Sequence, residues 1–211
     1  MTQTSPDIPS AVGDQPPRAL LLDIMDTVVV DPFFDDDLGA HFGLDRETLF
    51  ARMTPDIWLA FERGELTPDT YYARFFRDGS GVDGAALEAW MASRYRWVPG
   101  MEALLAELQT AGVGLYALSN YPVWWQLIEA RLGVGRYVGW RFVSCMTGVR
   151  KPAPRAYLGP AETLALSPAA CLFIDDRQSN CDAARAVGMP AHRFESADAL
   201  RLALRSTGIA V

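Results

Sequence analysis

The chain has 211 residues, half of them hydrophobic, and a formal net charge of −7. That length makes one domain, or one domain with a sizeable insertion, and the composition supplies a substantial core. The acidic balance argues against nucleic acid or an anionic membrane as partner, since both reward a basic surface, and no apolar run is long enough to span a bilayer.

The first stretch, 1–17, carries Pro, Ser, Gln and Asp without a basic or apolar leader region, and reads as a disordered tail. Leu20-Leu21-Leu22 then reads as a strand buried on both faces, as parallel-sheet strands are. A carboxylate, Asp23, follows it directly. In an open α/β sheet the carboxyl ends of the strands are where ligands bind, so Asp23 is the first candidate for chemistry.

From about Phe34 to Arg96 the pattern is helical. Asp45 is placed to cap a helix over 46–53. Thr54-Pro55 and Thr67-Pro68 are start signals, with Pro at the first helical position, and Gly64 is a stop. Trp58, Phe61, Tyr72, Phe75, Phe76 and Trp90 fall at near-helical spacings and are expected to form the core of this segment.

Beyond Pro99 helices and strands alternate. Helices are expected over 101–110, 124–131, 155–165, 179–187 and 196–205. Strands are expected over 114–118, 141–144, 171–174 and 191–194. This alternation implies a parallel sheet with right-handed crossovers, a Rossmann-like α/β core with helices on both faces. The expected domains are a core over 18–33 and 97–211 and a small all-helical cap over 34–96. Cys145, Cys171 and Cys181 show no CxxC spacing and read as reduced, mostly buried thiols of a cytoplasmic protein. His41 and His192 have no ligand-like neighbours in sequence and read as surface or packing residues.

Three expected strands end in polar residues: Asp23, Ser119-Asn120 and Asp175-Asp176, with Lys151 in a loop between the last two. In a parallel sheet these ends face one way and can converge. Three acids together call for a cation, and carboxylate oxygens suit Mg²⁺. Hydroxyl and amide donors, a lysine and a free carboxylate suit phosphoryl transfer, in which the carboxylate attacks phosphorus and water hydrolyses the aspartyl-phosphate.

These residues resemble the four motifs of the haloacid dehalogenase-like (HAD) hydrolase superfamily. Asp23-Ile24-Met25-Asp26-Thr27 is similar to the first, Ser119-Asn120 to the second, Lys151-Pro152 to the third and Ile174-Asp175-Asp176-Arg177-Gln178-Ser179-Asn180 to the fourth. The resemblance covers about 18–211. It implies that Asp23 is nucleophile and metal ligand, that the Met25 carbonyl and Asp176 complete the Mg²⁺ site, and that Asp175 supports or joins them. Asn180 falls where many members carry an acidic ligand. Thr27, Ser119 and Asn120 are then expected on the phosphoryl oxygens, and Lys151 balances charge. Residues 23–34, 119–132 and 149–158 resemble the subgroup of plant chloroplast flavin mononucleotide hydrolase and its bacterial relatives, which suggests flavin mononucleotide as substrate. Tyr121, Trp124 or Trp125 could then offer a ring to the isoalloxazine.

One position departs from the family. Most of its phosphatases have Asp two residues after the nucleophile, as acid for the leaving group and base for water; here it is Met25. General acid–base catalysis typically contributes about 10²–10⁴-fold. Asp26, or an acid from the cap such as Asp35, Asp36 or Glu62, could substitute. Otherwise the protein acts on good leaving groups, or is a weak or inactive HAD-fold binder. A 2-haloacid dehalogenase also lacks that Asp, but usually has an Arg early in the cap, and none follows Thr27 before Arg46. The expectation is a Mg²⁺-dependent phosphatase of a small phosphorylated metabolite, monomer or homodimer, with no nucleic-acid or membrane partner.

Overall fold

The structure, a computed structural model, describes residues 16–33 and 36–211. The expected tail over 1–17 lies outside the described residues except for Pro16 and Pro17.

Five strands form one parallel sheet: β1 (Ala19–Leu22), β2 (Gly114–Ser119), β3 (Gly139–Val143), β4 (Cys171–Asp175) and β5 (Ala191–Arg193), in the order β3-β2-β1-β4-β5. β1 is central because it is apolar on both faces. Leu20 and Leu22 pack to one side, with α6 (Met101–Thr110), α7 (Trp125–Leu132) and α11 (Ala197–Ser206). Ala19 and Leu21 pack to the other, with α9 (Arg155–Thr163) and α10 (Gln178–Ala186). The two-residue period of a strand thus makes three layers from one sheet.

Between β1 and α6 lie α1 (Asp36–His41), α2 (Arg46–Arg52), α3 (Ile57–Glu62), α4 (Pro68–Ala73) and α5 (Gly84–Arg94). Their starts follow local chemistry. Asp45 Oδ1 accepts from Thr48 N at 2.7 Å, Thr67 Oγ1 accepts from Thr70 N with Pro68 next in line, and Asp83 caps α5. α3 begins two residues later than Thr54-Pro55 implies. Asp56, at φ 56°, breaks the helix there, and Thr54 N turns away to Phe75 O. An isolated antiparallel bridge, Met53 to Phe76, closes this region, a pairing that the sequence pattern did not signal.

The aromatic core of this segment is not its own. Phe61 stacks on Tyr71 at 4.2 Å and Trp58 on Phe33 at 4.1 Å, but Trp124, from the loop entering α7, packs edge-on against both Phe61 and Tyr71. Trp124 Nε1 donates to Tyr72 Oη at 2.8 Å. A short helix, α8 (Ser144–Thr147), follows β3 directly and was not expected. It forms because Ser144 has tertiary work: its hydroxyl donates to Glu62 O at 2.5 Å and accepts from Tyr121 N at 3.0 Å. At the same contact Gly64, at φ 72°, lies so close to the Cys145 carbonyl that a Cβ would collide with it. No helix among the described residues is long and apolar enough to cross a membrane.

Candidate active site

Register brings the acids together. Leu22 lies opposite Ile174, so Asp23 and Asp175, the next residue on each strand, emerge side by side, and Asp23 N donates to Ile174 O. One carboxylate oxygen from each of Asp23, Asp175 and Asp176 falls within 4.8 Å of the others. β2 delivers Ser119, whose hydroxyl donates to Asp23 Oδ1 at 2.9 Å, and Ile24 N donates to the same oxygen at 2.7 Å.

Lys151 sits between the acids, fully buried, with Nζ 2.9 Å from Asp23 Oδ1 and 2.7 Å from Asp175 Oδ2. Asn120 places it: its Oδ1 accepts from Lys151 N at 2.8 Å and its Nδ2 donates to Lys151 O at 2.9 Å. The Lys151–Pro152 peptide bond is cis. Burial works against the ammonium, but Asp23 and Asp175 outweigh it and hold Lys151 above the usual lysine pKa.

The acids differ. Burial pushes Asp23 up to about 7, with Lys151 opposing and Asp175 reinforcing. Burial also raises Asp175, yet Lys151, Arg177 N and the Asn180 amide prevail and hold it below the usual carboxylate range. Asp176 is raised, first by burial and then by Asp175, and among the described residues its carboxylate has no hydrogen-bond partner. Asn180 Nδ2 lies 3.0 Å from both Asp175 oxygens, so its amide is engaged with a neighbouring acid.

A cavity of about 50 Å³ opens onto this group. Asp23, Met25, Asn120, Lys151, Asp176 and Asn180 line it from the core, and Trp58 and Glu62 line it from α3. Asp26 is exposed at its mouth, at φ 55°. Thr27 and Ser119 do not line it. Ser119 sits behind the wall on Asp23, and the Thr27 hydroxyl is buried with no hydrogen-bond partner among the described residues. Tyr121 does line it, with its hydroxyl 2.8 Å from that of Tyr95. Trp124 is buried, and Trp125 packs on Trp140 instead. A larger cavity, about 990 Å³, lies at the amino ends of β1 and β2 around Arg18 and Val113, away from the acids.

Three groups at the cavity escaped the sequence reading: Asp31, Arg150 and Arg177. Arg150 Nε holds Glu62 Oε2 at 2.6 Å while Trp58 Nε1 holds Glu62 Oε1 at 2.6 Å. Arg177 stands within the fourth motif and Arg150 adjoins the third, which was a usable signal. Asp31 had none, because it reaches the cavity through the fold of a loop.

Acids and an amide at the carboxyl ends of a Rossmann-like parallel sheet, tied by a buried lysine, form an arrangement suited to carboxylate chemistry. A family model for haloacid dehalogenase-like hydrolases matches residues 29–188. The chain belongs to that family and is a HAD-type hydrolase of the phosphoric-monoester class. It is 38% identical over 207 residues to flavin mononucleotide hydrolase 1 of Arabidopsis thaliana, covering 96% of this chain and 84% of the relative. It is 33% identical over 145 residues to a sesquiterpene phosphatase of Aspergillus oryzae, covering 64% and 70%. Among solved structures, a HAD family enzyme from Bacteroides thetaiotaomicron in complex with magnesium and inorganic phosphate superposes with a TM-score of 0.70 at 21% identity, covering 85% and 94%. The L-2-haloacid dehalogenase of Xanthobacter autotrophicus gives 0.62 at 22% identity, covering 92% and 84%. At these identities the two structures speak for the fold alone.

Proposed function

We propose that the protein is a Mg²⁺-dependent phosphatase that passes the phosphoryl group of a small metabolite to Asp23 and then to water, with flavin mononucleotide as its substrate. The observation that carries this reading is Asp23 itself. It is buried at the base of the cavity, with one oxygen held by Ile24 N, Ser119 and Lys151. The nucleophile is thereby fixed in direction, as in-line attack on phosphorus requires.

Three carboxylate oxygens within 4.8 Å suit a hard divalent cation, which would favour the ionised form of all three. Asp23, Asp176 and the Met25 carbonyl would hold the Mg²⁺, and Asp175, saturated by Lys151, Arg177 N and Asn180, would brace them. Bound there, the metal supplies positive charge opposite the phosphoryl oxygens. Lys151 neutralises the Asp23–Asp175 pair and lowers the cost of bringing in an anionic substrate. Helices 36–94 act as a cap, with Trp58 facing the alcohol portion of the substrate. Flavin mononucleotide is supported by the 38% identity to the Arabidopsis hydrolase, and by the aromatic side chains of Trp58 and Tyr121 in the cavity wall.

One observation favours a second reading, a ligand-binding protein with little turnover: Met25, which carries no proton to give, lines the cavity. Hydrolysis of flavin mononucleotide and of an aryl phosphate, with Mg²⁺ and with chelator, separates the two. The phosphatase reading expects metal-dependent release of phosphate, falling to under about a tenth in Asp23→Asn, since the covalent step depends on that charge. Binding without turnover would support the second reading.

A further inference from the structure

We propose that Asp31 is the proton donor to the leaving group and the base for water, in the place left empty by Met25. This rests on the phosphatase reading. An alkoxide leaves phosphorus poorly without a proton, so some acid must face the side of the cavity away from Asp23.

The candidates at the cavity differ in how their oxygens are engaged. Glu62 has both oxygens bound, Oε1 by Trp58 and Oε2 by Arg150. Asp26 is exposed, and its Oδ1 accepts from Asp31 N at 3.0 Å. Asp35 lies outside the described residues, as does the side chain of Asp36. Asp31 is partly buried on the cavity wall, and Phe33 N donates to its Oδ1 at 2.9 Å. Its other oxygen has no partner among the described residues. The backbone on both sides is tied down: Asp31 N to Asp26, and Val30 N to Arg96 O at 2.9 Å. An acid on the cavity wall, with one oxygen anchored and the other without a partner among the described residues, is positioned to pass a proton.

Its surroundings suit the task. Burial pushes Asp31 up to about 7; Phe33 N opposes, Asp26 and Glu62 add to the rise, and Arg177 lowers it. Tyr95 and Tyr121 are also close enough to feel its charge. Acid and base forms therefore coexist near neutral pH, where a group serving in both directions works best.

The steps balance as follows. An Asp23 oxygen bonds to phosphorus as the P–O bond to the alcohol breaks. The leaving oxygen keeps the electron pair, takes the Asp31 proton and departs as the alcohol. Water then attacks phosphorus and gives a proton to the Asp31 carboxylate. The P–O bond to Asp23 breaks, phosphate leaves, and both carboxyl groups return to their starting forms.

The test is Asp31→Asn, which keeps the acceptor for Phe33 N, assayed on an alkyl and an aryl phosphate. The value of kcat/KM for the alkyl ester should fall by about 10²–10⁴-fold. For the aryl ester it should change little, because a phenolate leaves unaided, while kcat falls and a burst of phenol marks slow hydrolysis of the aspartyl-phosphate. Asp31→Glu should recover part of the alkyl activity. In the wild type, kcat/KM across esters should depend only weakly on leaving-group pKa, a measurement that needs no variant to fold. Equal losses for the two esters in Asp31→Asn, or a steep wild-type dependence, would overturn the assignment of Asp31. A wild type inactive on both esters would overturn the phosphatase reading and this assignment with it.

Discussion

Lys151 is a buried cation whose removal would leave two buried carboxylates facing each other. Breaking one side of such a pair typically costs about 3–5 kcal/mol, and that is the expected loss for Lys151→Met in chelator, read from urea unfolding. The pH dependence has a definite sign. Without the ammonium, Asp23 and Asp175 titrate higher in the fold than in the unfolded chain, so the native state binds extra protons between those values. The deficit should shrink from pH 7.5 to pH 5.5. Thr27 is the opposite case. Its hydroxyl is buried with no partner among the described residues, and an unsatisfied polar group costs about 1–3 kcal/mol. Thr27→Val should therefore melt at the same temperature or higher in the absence of ligand; a clear drop would mean that the hydroxyl has a partner in solution. Met25→Asp, the substitution that would restore the family pattern, should not accelerate alkyl phosphates if Asp31 already supplies the proton. Compared in the two proteins, a gain of tenfold or more in kcat/KM would show the cavity lacking an acid. At this scale the sequence was legible where strand ends carry polar residues. It was silent on Asp31, eight positions past Asp23, because hydrogen bonds rather than periodicity bring that carboxyl to the cavity wall.

The secondary elements that could be read were those whose residues serve a single master. β1, β4 and α6 are governed by burial and stand close to where the pattern put them. α3 and α8 are governed by contacts distant in sequence: Glu62 and Gly64 on one side, Ser144 and Cys145 on the other. No local propensity announces such a junction. Gly64→Ala tests it, since a left-handed residue with a side chain costs about 1–2 kcal/mol before the clash with Cys145 is added. A thermal melt unchanged by that substitution would mean that the junction yields easily. In β5, His192 is buried opposite Ile174, and burial holds it below the usual histidine pKa. The unfolded chain then binds the proton more readily, so this residue's share of stability is present above pH 6.5 and lost as pH falls. His192→Leu should reduce the fall in melting temperature between pH 7.5 and pH 5, measured against wild type. An identical pH slope in the two proteins would remove His192 as its source.

For the molecule as a whole, sheet, layers and convergence point followed from apolar strands ending in acids. How tightly the helices over 36–94 are joined to that sheet did not, because the joint is made of side chains whose partners lie far off in sequence, such as Glu62 with Arg150, 88 positions away. Arg150 grips the helical segment, and its neighbour Lys151 grips Asp23. Two adjacent residues thus tie Asp23 to the helical segment through α3. The coupling expected from this tie is reciprocal: an anion that steadies the helices is itself held less firmly, by the same factor, when the helices are loosened. A ligand at a hundred times its Kd stabilises the state that binds it by about 2.7 kcal/mol, and part of that should appear as slower protease nicking between residues 46 and 94. Inorganic phosphate with Mg²⁺ should protect those sites in the wild type and, at saturation, protect them far less in Arg150→Ala. The helices would then report on the occupancy of a site that only α3 among them lines.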